Sequence, residues 1–213
     1  NKNQYTYERS VKWMVTFLQK LDIDEIVLFG QDWGGLIGLR AVTQEPNRFS
    51  MIVASNTLLP TGSPRMPEAF YNWLDYSQNK PEFNSGRIVN SASLRELTKE
   101  EIAAYDAPFP SENYKAAARI YPALVPLTVD DPQSIGNAET WKELNKWTKP
   151  FLTIFGDSDP ITGWSQNHFK SQIPGAKGQN HQILNADHFI QEDKGAELVE
   201  LITEFYIKNT ANK

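Results

Sequence analysis

Cysteine is missing from the 213-residue chain, which excludes disulfides and thiolate metal sites. Long hydrophobic runs are missing as well. None reaches the roughly 18 apolar residues of a membrane span, so no membrane partner is expected. A basic surplus is also lacking: Lys and Arg total 21 against 26 Asp and Glu, giving a net charge of -5. The basic residues are scattered, with no stripe to offset a pI near 5.3, and nucleic acid is excluded as a partner on that ground. Internal repeats and low-complexity segments are absent. No cofactor and no metal is expected.

What is present is ordinary globular composition, 40% hydrophobic and 22% charged, with six Trp and eleven Phe. That aromatic surplus suits an apolar pocket, although large cores use it too. A cysteine-free chain suits a reducing compartment, and the cytoplasm is the expected location. The opening at Asn1, in the polar stretch NKNQYTYE, leaves room for an upstream targeting segment.

Helical spacing of Val11, Met14, Val15, Leu18 and Leu21 predicts a first helix over residues 7–21. The run EIVLFG (residues 25–30) reads as a strand buried on both faces, followed by a helix over 33–44 and a second such strand, FSMIVAS, over 49–55. Strand, helix and strand at this spacing make a βαβ unit with a parallel sheet. Residues 60–148 are rich in Pro and aromatic residues. Helices are expected there over 68–76, 98–105 and 113–120, and no buried strand, so this stretch reads as a helical cap. Sheet patterning returns with PFLTIFG (150–156) and HQILNA (181–186), and an amphipathic helix over 196–207 closes the chain. The fold class is therefore α/β, with core parts at 1–59 and 149–213 around the cap at 60–148.

Gly30-Gln31-Asp32-Trp33-Gly34 has the G-x-Nuc-x-G spacing of a nucleophile elbow, in which glycines permit a sharp strand-to-helix turn. Here the presented residue is Asp. A carboxylate is ionised at neutral pH and attacks carbon directly, leaving an ester. Asp32 also fits a plain helix N-cap. Asp159 follows the third predicted strand and His188 the fourth, giving the chain order nucleophile, acid, histidine. Asp157 is a rival acid two residues away, and Asp159-Pro160 alone reads equally as a helix start. His168 and His181 stand at no strand exit. Three suitable residue types at three strand ends, in the right order, favour catalysis.

Four stretches, VLFGQDWGGLIGLR, IVASNTLLPTG, FLTIFGDSDPITG and ADHFIQED, together with AYDAPFP in the cap, resemble the haloalkane dehalogenases of the α/β-hydrolase superfamily. The likeness covers nearly the whole chain. It implies that Asp32 displaces halide from a small apolar halogenated substrate, and that His188, oriented by Asp159, activates water against the resulting ester. It implies that Trp33 and, from Phe70-Tyr71-Asn72-Trp73, Trp73 direct indole N–H groups at the halide, with the Trp33 backbone N–H in the oxyanion hole. Leu36, Phe70, Phe109, Pro110, Ile161 and Thr162 are the implied pocket walls. Epoxide hydrolase is the nearest rival, since it shares the nucleophile and draws on cap tyrosines such as Tyr71, Tyr76, Tyr105, Tyr114 and Tyr121. Fluoroacetate dehalogenase would need arginines for a carboxylate, and Arg40 lies two turns down the helix. A non-catalytic protein keeping the fold is the reading from another class.

Two features depart from the family pattern. Asp187 precedes the histidine where Gly is usual. The resemblance also implies strands and an H-G-x-P loop ahead of the elbow, so the sequence reads as the C-terminal portion of an α/β-hydrolase fold whose first strand is an exposed apolar edge. The expected outcome is that the isolated 213 residues are unstable or inactive; a folded preparation releasing halide from 1-bromobutane would contradict it.

Overall fold

A computed structural model describes residues 2–211. Helix α1 (Tyr7–Leu21) starts where the Thr6 side chain accepts the Arg9 N–H, and it ends at Asp22 in the left-handed region. Strand β1 (Ile26–Gln31), helix α2 (Trp33–Gln44) and strand β2 (Phe49–Ser55) form the expected βαβ unit. Then come α3 (Glu68–Asn79), α4 (Ser85–Ser91), α5 (Lys99–Asp106), α6 (Ala116–Ile120) and α7 (Pro132–Leu144). The sheet resumes with β3 (Phe151–Gly156), α8 (Gln166–Gln172), β4 (Gln182–Leu184) and α9 (Ile190–Thr210).

The four strands lie in the order β1-β2-β3-β4, and every neighbouring pair is parallel. Because side chains alternate across a strand, Ile52 joins one face and Met51 and Val53 the other. The first face packs Ile52, Phe49, Phe151 and Phe155 against Leu39 and Val42 of α2. The second packs Met51, Val53, Leu152 and Ile154 against Leu198 and Phe205 of α9. Central strands covered on both faces need the near-continuous apolar runs seen in β2 and β3. Among the described residues β1 pairs with β2 alone, and its Phe29 is 39% exposed, the open apolar edge expected from the sequence.

Some boundaries differ from expectation. The strand expected over 181–186 is only Gln182–Leu184: the His181 ring is held between Thr153 and the Ala176 carbonyl at one end, and the Ala186 carbonyl accepts the Ser158 N–H of the loop after β3 at the other. The closing helix begins earlier, at Ile190, with a break at Lys194. The helix expected over 113–120 opens as a 3-10 turn and is α-helical only over Ala116–Ile120. Helices α4 and α7 carry weak periodicity and were not expected. Although α7 lies within 60–148, it packs on the sheet layer: Leu144 joins the first core face, and the Trp141 indole donates to the Leu59 carbonyl at 2.9 Å.

One glycine in α2 is required by close approach. A Cβ on Gly35 would stand 2.1 Å from Thr57 Oγ1 and 2.6 Å from Thr57 Cβ. Thr57 is not free to yield, since its hydroxyl donates to the Asp32 carbonyl at 2.7 Å. Gly35→Ala is expected to lower unfolding free energy by about 1–3 kcal/mol, read from paired urea titrations.

Candidate active site

Parallel strands bring all their C-terminal ends to one edge of the sheet, where α/β proteins bind ligands. Asp32 follows β1, Asn56 follows β2, Asp159 lies past β3 and His188 past β4. Topology alone therefore gathers residues far apart in the chain.

The Asp32 backbone has φ 48° and ψ -125°, a conformation that costs an L-residue roughly 1–3 kcal/mol. Two bonds hold it there: its N–H donates to the Asn56 carbonyl at 2.9 Å, and its carbonyl accepts the Thr57 hydroxyl. Although Asp32 precedes α2, its side chain makes no capping hydrogen bond, and that carboxylate is 44% exposed. The simple capping role is thus not the one its side chain takes. At the first helical position, the Trp33 N–H has no acceptor among the described residues.

His188 Nδ1 lies 3.0 Å from Asp159 Oδ2. A carboxylate only accepts, so the proton sits on Nδ1 and leaves Nε2 with its lone pair. Nε2 stands 3.8 Å from Asp32 Oδ1 and 3.3 Å from the Gln31 side-chain amide, whose N–H also donates to the His188 carbonyl at 3.1 Å. Burial pulls the imidazole pKa down, but the Asp159 hydrogen bond and the charges of Asp32, Asp159 and Asp187 outweigh it and hold the pKa above its ordinary value. Burial pushes the Asp159 carboxyl up; its bonds and charge attraction to His188, with the hydroxyl and N–H of Thr162, bring it well below the usual carboxylate range. Asp157 is exposed and bonded to Ser158, away from the imidazole. Asp187 is raised, chiefly by burial, and its carboxylate accepts the His188 N–H at 2.7 Å.

A cavity of about 660 Å³ opens over these groups, lined by Asp32, Trp33, Trp73, Asp159 and His188 and walled largely by apolar side chains. Leu36, Phe70 and Ile161 are among its lining residues. Trp33 is wedged edge-on between Tyr7 and Tyr121, and Trp73 stacks on Tyr76. Neither indole N–H has a hydrogen-bond acceptor among the described residues, whereas those of Trp141 and Trp164 are spent on carbonyls. Three implied walls are corrected. Phe109 and Pro110 do not line the cavity: the Phe109 N–H closes a turn onto the Asp106 carbonyl, and Pro110 is exposed. Thr162 is buried behind Asp159, bonding it through N–H and hydroxyl. Of the five candidate tyrosines only Tyr76 and Tyr121 reach the cavity, and the Tyr121 hydroxyl is shared with Ser10.

Other positioning residues had no assigned role in the sequence reading. Asn56, fully buried, donates from Nδ2 to Asp159 Oδ2 at 3.0 Å and to the Asp187 carbonyl at 3.1 Å, while its Oδ1 accepts the Gly156 N–H at 2.9 Å. The signal was the polar triplet Ser55-Asn56-Thr57 closing an apolar strand, with Asn56 at the same station after β2 as Asp32 after β1. Asp193 is the second. Its carboxylate accepts the backbone N–H groups of Leu94, Arg95 and Asp187 at 2.9–3.0 Å, joining the loop after α4 to the histidine loop. Among the described residues no group of His, Asp and Glu is arranged to hold a metal ion, and no helix is long and apolar enough to cross a membrane.

The model of the alpha/beta hydrolase fold matches residues 1–195. A haloalkane dehalogenase of Psychrobacter cryohalolentis is 48% identical over 210 residues, covering 98% of this chain and 69% of that protein. One of Mycolicibacterium paratuberculosis is 45% identical over 198 residues, covering 93% of this chain and 66% of that protein. Among solved structures, haloalkane dehalogenase DpaA from Paraglaciecola agarilytica NO2 superposes with a TM-score of 0.86 at 27% identity, covering 94% of this chain and 67% of that one. The chain thus spans about two thirds of the length of these relatives. At this level of identity and coverage, the chain belongs to the haloalkane dehalogenases of the α/β-hydrolase fold.

Proposed function

We propose that the protein hydrolyses the carbon–halogen bond of small apolar haloalkanes to alcohol and halide, through an alkyl ester on Asp32. The observation that carries this reading is one apolar cavity lined by an aspartate on a strained turn, an acid–imidazole pair and two indoles with unspent N–H groups. The Asp32 carboxylate attacks the carbon bearing the halogen; the carbon–oxygen bond forms as the carbon–halogen bond breaks, and halide leaves with the electron pair. Against the apolar walls of the cavity, the indole N–H groups of Trp33 and Trp73 replace part of the halide's lost hydration. His188 Nε2 then takes a proton from water as its oxygen adds to the ester carbonyl. The Trp33 backbone N–H supports the charge that develops on the carbonyl oxygen. On collapse the departing alkoxide takes that proton back from His188 and leaves as the alcohol; the Asp32 carboxyl then gives its remaining proton to solvent, restoring the carboxylate and balancing the released halide. Substrate, halide and water are the partners this chemistry needs.

A carboxylate nucleophile needs no base for its attack, so the two steps separate by mutation. In a preparation that turns over 1-bromobutane, His188→Phe is expected to release one equivalent of bromide and then stop. Mass spectrometry of the Asp32 peptide would find it heavier by a butyl group; an unmodified peptide contradicts the ester. Asp32→Asn is expected to release no bromide at all.

The imidazole must be neutral to accept a proton, and its pKa is raised. Activity is therefore expected to fall, as pH is lowered, at a higher pH than an ordinary imidazole would give. Asp159→Asn removes the stabilised cation, so the acid limb of kcat is expected to move to lower pH while kcat itself falls. Asn56→Ala is expected to lower kcat by roughly tenfold to a hundredfold with little change in KM, since it loosens acid and histidine together without touching substrate.

A further inference from the structure

Arg87, on α4, is the only Lys or Arg among the residues that line the cavity. It is also the only arginine of the described residues with no hydrogen bond, ion pair or ring contact. Arg9, Arg40, Arg48, Arg65, Arg95 and Arg119 each hold a carbonyl or a carboxylate. Asp106 approaches its helix, but spends an oxygen on the Gly86 N–H, and no carboxylate comes within ion-pair distance of the Arg87 guanidinium among the described residues. A guanidinium is permanently charged and carries donors in a planar fork matched to a carboxylate. Exposed at the edge of an apolar cavity and paired with no protein carboxylate, it is free to pair with an anion.

Its location sets the orientation of that ligand. The α4 helix runs toward the histidine loop, where the Ala92 carbonyl accepts the Phe189 N–H at 3.1 Å. Arg87 lies five residues earlier, roughly 7.5 Å of helix away from that contact. It is exposed next to half-buried Ile88, and so stands at the solvent rim of the cavity. The reacting end is lined by the carboxylates Asp32, Asp159 and Asp187, which repel an anionic group there. A substrate with a halogen at one end and a carboxylate at the other would thus be drawn in one direction only, halogen inward and carboxylate at the rim. Arg40, the arginine weighed from sequence for a carboxylate substrate, is instead bound to Gln133 and Asn137 and lies over the Tyr7 ring.

We propose that Arg87 forms an anion subsite at the cavity rim and that the enzyme accepts ω-halo carboxylates, the rim arginine pairing with the carboxylate while the carbon–halogen bond meets Asp32. The proposal rests on the dehalogenase reading above.

The test compares 6-bromohexanoate with 1-bromohexane in the protein and in its Arg87→Gln and Arg87→Lys variants, following bromide release. Turnover of 1-bromohexane checks the dehalogenase reading by itself; its absence in the folded, full-length enzyme would sink that reading first. With that activity in hand, Arg87→Gln is expected to lower kcat/KM for 6-bromohexanoate by about fivefold to tenfold, the range of an exposed to partly desolvated charged hydrogen bond. The loss is expected in KM, with 1-bromohexane changed less than about twofold. Arg87→Lys is expected to recover much of it, and added salt to erode the preference. A protein that hydrolyses 1-bromohexane but not the bromo acid overturns the subsite, and so does an equal loss on both substrates. An effect confined to inhibition by added bromide also overturns it, assigning the rim charge to halide departure instead.

Discussion

The buried amide of Asn56 ties together loops that the chain itself keeps far apart. The residue's backbone carbonyl receives the Asp32 N–H, while the side-chain Nδ2 reaches both Asp159 and the histidine loop and Oδ1 holds the end of β3. An amide is the side chain suited to this position, since it donates and accepts at once and carries no charge into a fully buried site. A carboxylate there would face Asp159 as a second anion; an aliphatic residue would leave the Gly156 N–H and the Asp187 carbonyl without partners. The strained Asp32 turn, the acid and the histidine are each held from elsewhere as well, but only at Asn56 do those restraints meet.

Charge is arranged around that frame in one pattern. Three carboxylates, Asp32, Asp159 and Asp187, face one imidazole. Burial works against its protonation, and the carboxylates win. Asp187, which stands where the family commonly has Gly, contributes in two ways: its carboxylate receives the His188 N–H, and its charge adds to the field on the ring. The departure seen in the sequence thus has a structural use, because Asp accepts a local backbone N–H as Gly cannot.

The parts most legible in the sequence were those governed by local pattern. The runs at residues 49–55 and 7–21 matched their strand and helix to the residue, and the glycines around Asp32 announced the turn. Order along the chain was enough to pair acid with histidine, though choosing Asp159 over Asp157 needed geometry: one side chain is buried toward the ring and the other is in solvent. What was not legible depends on contacts distant in sequence. Asn56 reads as an ordinary post-strand residue until strands β2 and β3 are paired. Phe109 and Pro110 were carried over as walls by likeness, yet a local turn takes them off the cavity. Helix α7 lacks a clear apolar stripe because it is buried through mixed contacts, including Asn137 and Trp141.

The Asp193 carboxylate has a consequence for how such an enzyme changes over time. Because it grips Leu94 and Arg95 beside the cavity and Asp187 beside the catalytic histidine, the segment that shapes the pocket is mechanically shared with the base. Exchanging the loop after α4 for another would alter substrate fit and also release the histidine loop. Substituting side chains that line the cavity, such as Ile88, leaves these bonds intact, whereas shifting the backbone of residues 92–95 disturbs the loop bonded to it.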